Sequence, residues 1–262
     1  MDTKNAKLKN IKTSKDLDNV LAEIDTLQDL EKAKILQRFF KTKTGEYGEG
    51  DIFIGISMPE QRVIARKYMF VTFDDISYLL RSEIHEHRMI GLLILTFKFE
   101  ELNKKSIYKV SNNEKLSNDK LNAIYDFLLR NISSLNNWDL VDVIVPKIIG
   151  EYIYQNPSEN FLLYEFANSS NLWKKRISII STLTFIKNGK YDDTIKISEI
   201  LLNDSHDLIH KAVGWMLREV GKKNKDELVK FLDKYSKTMP RTMLRYSLEK
   251  MDDNERKHYM KK

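Results

Sequence analysis

Three short clusters in the second half of the chain combine aromatic rings, a carboxylate and guanidinium groups. The first is NNWDLVDVIVPKIIGEY, where Trp138 precedes Asp142 by one helical turn, so that both side chains share one helix face. A Trp ring recognises cations and nucleobases through its π face, and a nearby carboxylate stabilises a developing positive charge. The simpler interpretation is that Asn137 caps the helix, Asp139 and Asp142 complement its dipole, and Trp138 is core. For this motif alone the simpler interpretation is favoured.

The second cluster is SNLWKKRISII, which places three consecutive cations in the first turn of a helix capped by Asn171. Lys174, Lys175 and Arg176 then stand at the positive end of the helix dipole, which is the unfavourable end for a cation. That arrangement indicates a partner such as a phosphate, which Arg binds with two parallel hydrogen bonds. The alternative is a salt bridge to a neighbouring helix, with Asp142 as one candidate acceptor.

The third cluster is LIHKAVGWMLREVGKKN, with Gly214 beside Trp215 in the middle of a helix. A Gly there is less favourable than Ala by about 1 kcal/mol, which indicates close approach of another backbone or of a ligand. Arg218 follows Trp215 on the neighbouring turn. The alternative is tight helix packing against Gly214, with Trp215 in the core.

Taken together, the clusters predict one site. Trp, Asp and Arg side chains recur on successive helices, at positions that we expect to be equivalent and to line one face. Such a set is suited to breaking an N-glycosidic bond on a cationic nucleotide. Trp138, Trp173 and Trp215 are 35 and 42 residues apart. These spacings are near the two-helix period of HEAT units, roughly 40–47 residues, and predict an all-α solenoid whose concave face binds an extended partner.

Helical periodicity dominates the rest of the chain, and no strand alternation of useful length is found. With only 9 Gly and 4 Pro, the composition also favours helix. We expect a single domain over residues 1–262, with the first ~14 residues disordered. Helices are predicted at 15–41 (one or two), after Ser57 or Met58 with Pro59 in the first turn, and near 84–102, 116–132, 138–155, 158–168, 173–187, 190–203, 206–221, 225–235 and 240–249.

Finer features of these elements are also predicted. Ile90, Leu93, Ile94 and Phe97 have the spacing of one apolar helix face, and residues 103–115 read as a polar surface loop. N-caps are expected at three helix starts: Asn137, Asn171 and Ser205.

Composition and charge exclude several classes of protein. The chain has no Cys, which excludes a disulfide framework or a thiolate metal site. No apolar run reaches the ~18 residues of a membrane span, and the N-terminus is not a signal peptide, so we expect a cytoplasmic protein with no membrane partner. In HEHR, His85 and His87 point to different sides of a helix, so a metal site is not expected and Glu86 is expected to pair with other groups.

The positive charge is concentrated near the C-terminus. The net charge is +6, and residues 211–262 carry 15 Lys or Arg against 8 Asp or Glu. Such an excess fits a polyanionic partner such as nucleic acid, although a solvated lysine-rich surface is the simpler explanation.

The order and spacing of these motifs resemble the HEAT-like-repeat DNA glycosylases of the AlkD type, the DNA alkylation repair proteins. The resemblance runs from about Gly45 to the C-terminus. It is carried by GISMPEQR (55–62), EIHEHRMIGLLIL (83–95), NNWDLVDVIVPKIIG (136–150), LWKKRISII (172–180), KAVGWMLREVGKKN (211–224) and MPRTMLRYSLEKMDDNERKHYM (239–260).

The resemblance implies an α-solenoid that cradles double-stranded DNA and hydrolyses the N-glycosidic bond of cationic alkylated purines, 3-methyladenine and 7-methylguanine. It implies no cofactor and no metal, and we expect a monomer. By position, Asp142 corresponds to the family's catalytic carboxylate and Trp138 and Trp215 to its lesion-flanking rings. The implied DNA-binding residues are Arg176, Arg218, Lys211 and Lys175.

The sequence departs from the family's pattern at two places. Asn137 stands where the family has a second Trp, and Asp207 and Leu208 stand where it has a pair of Phe. These changes bear on the range of lesions and on the rate. Two other classes remain open at this stage: a non-catalytic HEAT-like scaffold that binds damaged or branched DNA, and a solenoid that binds other proteins.

Overall fold

The computed structural model of the protein describes residues 14–107 and 114–261, and its fold is all-α. The chain forms two compact units, Met1–Ser134 and Leu135–Lys262. Within the described ranges there is no strand, and a single isolated bridge joins Ile52 to Ile84. No helix in those ranges is both long enough and apolar enough to cross a membrane. The disorder expected for the N-terminus falls almost entirely on residues outside the described part.

The first unit contains six α-helices in its described part. They are α1 Lys15–Thr26, α2 Leu30–Phe39, α3 Met58–Lys67, α4 Phe73–Leu80, α5 His85–Ile107 and α6 Glu114–Arg130, followed by a 3-10 turn, Ile132–Ser134. Ser57 caps α3 in a capping box with Glu60, and Pro59 occupies the first turn, as the sequence predicts. Helix α4 has no counterpart among the predicted elements. It begins at a capping box between Thr72 and Asp75.

Helix α5 is the centre of the first unit. The sequence predicts one apolar face through Ile90 and Phe97, but all ten residues from 88 to 97 are buried. The reason is that α3, α4 and α6 all pack on α5, so that it has no solvent face along this stretch. The predicted loop over 103–115 is wrong for residues 103–107, which continue α5, and for 114–115, which begin α6. Residues 108–113 lie outside the described part.

Buried polar groups join the start of α5 to the preceding loop. Arg88 donates through Nη2 to Asp51 at 2.6 Å, and His85 Nδ1 lies 3.2 Å from the same carboxylate. The Glu86 carboxylate accepts the backbone N–H groups of Ile54 and Gly55, at 2.8–3.1 Å. Glu86 therefore has the pairing role expected for it. No cluster of three or more potential metal ligands occurs among the described residues.

His87 makes the free energy of unfolding depend on pH. Burial lowers the pKa of His87 to about 4, and Ser82 Oγ lies 3.1 Å from its Nδ1. The unfolded chain therefore takes up a proton near pH 6.5, while the folded chain does so only near pH 4. We expect the free energy of unfolding to fall by roughly 1.4 kcal/mol for each pH unit by which the pH is lowered from 6.5 to 4.

Urea unfolding between pH 4 and pH 7 measures this slope. His87→Asn keeps an acceptor near Ser82 but does not titrate, and should flatten the slope. His258→Gln, at an exposed ring in the C-terminal helix, is the matched control and should leave it unchanged. Equal slopes in wild type and His87→Asn would contradict the assignment.

The second unit contains ten α-helices in its described part. They are α7 Trp138–Ile144, α8 Glu151–Gln155, α9 Phe161–Ala167, α10 Leu172–Ser181, α11 Leu183–Lys187, α12 Asp192–Ile200, α13 Asp207–Lys223, α14 Lys225–Tyr235, α15 Arg241–Ser247 and α16 Asp253–Met260. Helix α10 packs on both α7 and α13, and α13 packs in turn on α15. Helices α9 and α14 pack on α10 and α13 from a second layer.

The predicted helix over 138–155 contains a π turn at Pro146–Gly150. Pro146 has no N–H to donate, and the Gly150 N–H reaches back five residues to the Val145 carbonyl, at 2.9 Å. A Cβ on Gly150 would lie 2.4 Å from the Ser181 carbonyl oxygen. The glycine at the end of the π turn therefore allows this segment to lie directly against the end of α10.

The capping predictions have two outcomes. Asn137 Oδ1 accepts the Trp138 N–H at 2.8 Å, and Asn171 Oδ1 accepts the N–H groups of Trp173 and Lys174. Both predicted caps are confirmed. The prediction of Ser205 is wrong by one residue, since the N-cap of α13 is His206, whose ring nitrogen acts as the acceptor.

Gly214 is where α13 approaches α15. A Cβ added to Gly214 would lie 2.6 Å from the Met243 carbonyl oxygen and 2.5 Å from Tyr246 Cβ. A neighbouring backbone thus explains the glycine, as the sequence predicts. We expect Gly214→Ala to destabilise the protein by about 1–3 kcal/mol, because α15 must shift. Intrinsic helix propensity alone predicts the opposite sign, so stabilisation in urea unfolding would contradict this contact.

Candidate active site

Asp142 and Trp138 lie on one side of the short helix α7. The cap at Asn137 fixes where α7 begins, and this places Trp138 at its first position and Asp142 one turn later. The Asp142 side chain retains 16% of its accessible surface. Trp138 is half-buried, so the interpretation of its ring as core is not what the structure shows. An aspartate and a tryptophan, neither of them fully buried, therefore lie one turn apart on this helix.

Arg176 binds the Asp142 carboxylate with two parallel hydrogen bonds. Arg176 Nε donates to Oδ1 at 2.9 Å and Nη2 donates to Oδ2 at 2.7 Å. Nη1 donates to the Leu208 carbonyl oxygen at 2.6 Å. Arg176 is only 4% exposed and spans from α7 to the first turn of α13. Of the two interpretations of Arg176, the structure shows the ion pair with Asp142.

The environment of Asp142 perturbs its protonation in two directions. Burial raises the pKa of Asp142 above its ordinary value, while the charge and hydrogen bonds of Arg176 oppose that rise. Each carboxylate oxygen accepts one N–H from Arg176, and a carboxylate oxygen has two lone-pair sites. The ion pair therefore fixes the orientation of the carboxylate and leaves an acceptor site on each oxygen.

The two lysines before Arg176 also have partners within the protein. Lys175 pairs with the Asp204 carboxylate, and Lys174 Nζ lies 5.1 Å from the centre of the Phe166 ring. Each of the three cations at the start of α10 is thus stabilised by a protein group. The unfavourable dipole position is explained without a phosphate, and contacts of Lys175 and Arg176 with DNA remain predictions.

Lys211, Trp215 and Arg218 share one face of α13 and are half-buried. Lys211 pairs with Asp207 at 2.7 Å, and Arg218 pairs with Glu249. Trp215 lies two turns inside α13, whereas Trp138 and Trp173 lie within the first two residues of their helices. Trp138 and Trp215, the two rings assigned to the site, therefore stand at different positions along their helices.

Three groups around this site were not found by sequence reasoning. They are the Leu208 carbonyl, the Asp204 carboxylate that holds Lys175, and the His206 ring that caps α13. A backbone carbonyl has no residue signature. The polar stretch before α13 did indicate a cap, but the favoured residue type was Ser rather than His.

Comparison with known proteins adds a family and a fold. The family model described as DNA alkylation repair enzyme matches residues 20–251. No curated protein matches the sequence. A solved structure titled "Predicted DNA alkylation repair enzyme from Enterococcus faecalis" is similar, with a TM-score of 0.63 and 15% identity over 86% of this chain and 97% of that chain. At that identity the structural similarity shows the fold alone.

Proposed function

The chain belongs to the DNA alkylation repair enzyme family, and from this premise we propose that it is a DNA glycosylase for cationic alkylated purines. The substrate would be double-stranded DNA carrying 3-methyladenine or 7-methylguanine. The observation that supports this most is the Asp142 carboxylate, which Arg176 holds in one orientation, on a side chain that keeps 16% of its accessible surface one helical turn from the half-buried Trp138. A carboxylate fixed in this way suits stabilisation of a positive charge that forms during a reaction.

The proposed reaction requires little from the protein at the base. Alkylation at N3 or N7 already gives the purine a positive charge, so the base leaves as a neutral group without a general acid. The positive charge then develops on the sugar, as in the oxocarbenium-like state of glycoside hydrolysis. Asp142 would stabilise that charge through the lone pairs that Arg176 leaves free, and would orient the attacking water.

The remaining residues would hold the DNA. Trp138 and Trp215 would contact the cationic nucleotide through their π faces. Lys211, Arg218 and Lys175 would contact phosphates, and the basic segment 211–262 would add affinity that decreases with salt. Arg176 uses three of its five N–H groups on Asp142 and Leu208 and is only 4% exposed, so its proposed phosphate contact requires DNA to reach a nearly buried guanidinium.

Base release from methylated duplex DNA tests this function. The wild-type protein is incubated with DNA carrying radiolabelled methyl groups, and the released bases are separated by chromatography and compared with a protein-free blank. We expect release of 7-methylguanine and 3-methyladenine above the blank. Binding to the methylated duplex with no release above the blank would overturn the glycosylase proposal and would support a non-catalytic scaffold.

A further inference from the structure

The start of helix α13 contacts the Asp142–Arg176 pair through a backbone carbonyl. The Leu208 carbonyl accepts Arg176 Nη1 at 2.6 Å, the shortest of the three hydrogen bonds made by this guanidinium. Leu208 is the second residue of α13, in the turn where backbone N–H groups have no partner within the helix. The position of that carbonyl therefore depends on how the helix start is capped.

His206 provides this cap. Its backbone is extended, with φ −92° and ψ 126°, and its Nδ1 accepts the Leu208 N–H at 3.1 Å. Because Nδ1 is the acceptor, the ring is neutral and carries its proton on Nε2. The His206 N–H in turn donates to Asp204 Oδ1 at 2.8 Å, and Lys175 pairs with Oδ2 of the same carboxylate. The backbone N–H and the ring of His206 are thus both held by hydrogen bonds.

From this geometry we propose that His206 is a positioning residue for Asp142 in base excision, which rests on the function proposed above. The imidazole accepts the Leu208 N–H and so holds the backbone of Leu208 at the start of α13, the Leu208 carbonyl on the next peptide accepts Arg176 Nη1, and Arg176 donates to both oxygens of Asp142. His206 acts only through these groups. Its neutral form is required, because a doubly protonated ring has no lone pair for the Leu208 N–H.

The charges around His206 act in both directions. Asp204 and Asp207 favour the protonated ring, whereas Lys175 on α10 and His210 on α13 disfavour it. Arg176, also on α10, donates to the Leu208 carbonyl, and Lys211 pairs with Asp207. Burial is the largest influence and lowers the pKa of His206 below its ordinary value. An added proton would also place a positive charge at the unfavourable end of α13.

The predicted consequence is an acid limb in the pH profile of base release that belongs to His206. Since its pKa in the folded chain lies below 6.5, the cap is intact at neutral pH and is lost as the pH falls through the lowered value. Release should fall about five- to tenfold over this limb, on the premise that the free energy contributed by one helix cap is lost from stabilisation of the transition state. Asp142, whose pKa burial raises, contributes an acid limb of its own, which should remain in variants of His206.

Three variants test the proposal. His206→Ala removes the acceptor and should show the five- to tenfold lower release at every pH. His206→Asn places Oδ1 near the position of Nδ1 and does not titrate, so it should restore release and remove the His206 limb. His210→Gln is the matched control, because His210 contacts the Asp204 carbonyl through Nε2, and glutamine reaches the same position. It should keep the rate at neutral pH and keep the limb, shifted toward higher pH because His210 disfavours the protonated His206 ring.

A profile of His206→Asn that keeps the wild-type acid limb, or wild-type release by His206→Ala, would overturn the proposal. Absence of release by the wild type at all pH values would instead refute the glycosylase function. In that case the coupling is measured by NMR, where the Arg176 Nε–H signal should shift as His206 titrates and stay constant in His206→Asn. A signal that does not respond to the titration would overturn the coupling independently of activity.

Discussion

Asp142→Asn is expected to reduce base release from methylated duplex DNA about 10²–10³-fold, the effect typical of removing one group that stabilises transition-state charge. Asn preserves the size of the side chain but has no negative charge to place against the sugar. Its Oδ1 can still accept one N–H from Arg176, while its amide group faces the other. DNA affinity should change little, because the proposed role of Asp142 is exerted on the transition state rather than on the bound substrate.

Asp139→Asn is the matched control for this variant. Asp139 lies in the first turn of α7, three residues before Asp142, and its Oδ1 accepts the Leu140 N–H at 2.8 Å. Loss of a charge from this turn alone should therefore leave base release close to wild type. Single-turnover rates, measured at a temperature where circular dichroism shows each variant folded, separate the two. Equal rates for wild type and Asp142→Asn would contradict a catalytic role for the carboxylate.

Arg176→Met is expected to destabilise the folded protein by about 3–5 kcal/mol at neutral pH, because it leaves Asp142, whose side chain is only 16% exposed, without its cation. Arg218→Met is the matched control, since Arg218 pairs with Glu249 at a more exposed site and the change should cost at most about 1 kcal/mol. Urea unfolding at pH 7 measures both variants. A similar loss of unfolding free energy in Arg176→Met and Arg218→Met would mean that the Asp142–Arg176 pair contributes no more than the Arg218–Glu249 pair.

The pH dependence of the unfolding free energy of Arg176→Met tests whether the uncompensated charge of Asp142 causes the loss of stability. Arg176 lowers the pKa of Asp142, and burial already raises it, so removal of Arg176 raises the pKa further. An aspartate whose pKa is raised in the folded state favours folding when protonated. The free energy of unfolding of the variant should therefore fall as the pH rises from about 4 through the raised pKa. Asp142→Leu combined with Arg176→Met should recover most of the loss, because no buried charge remains.

Much of the fold is readable from the sequence because local signals carry it. The caps at Asn137 and Asn171 and the first turn at Pro59 depend on neighbouring residues alone, and the structure contains them. The burial of α5 on every side cannot be read from neighbouring residues, because it depends on which helices pack around α5. The π turn at Pro146 also depends on a distant partner, the end of α10.

The candidate site was predictable in its residue types and less so in its contacts. The one-turn spacing of Trp138 and Asp142 follows from helix geometry, and the pairing of Arg176 with Asp142 was one of two interpretations. The sequence does not choose between an ion pair and a phosphate contact, because guanidinium groups bind both in the same way. The role of the Leu208 carbonyl could not be predicted, because every residue carries one.

The contact of Gly214 with α15 makes the orientation of the Trp215 ring depend on a neighbouring helix. Successive residues of an α-helix are about 100° apart, so the side of α13 that rests on α15 determines the direction of the Trp215 ring. A larger residue at position 214 would turn or displace α13 and redirect that ring without altering it. In a random-mutagenesis screen for lost repair, we therefore expect inactive variants at Gly214 as well as at Trp215, although Gly214 contacts α15 and not the proposed substrate.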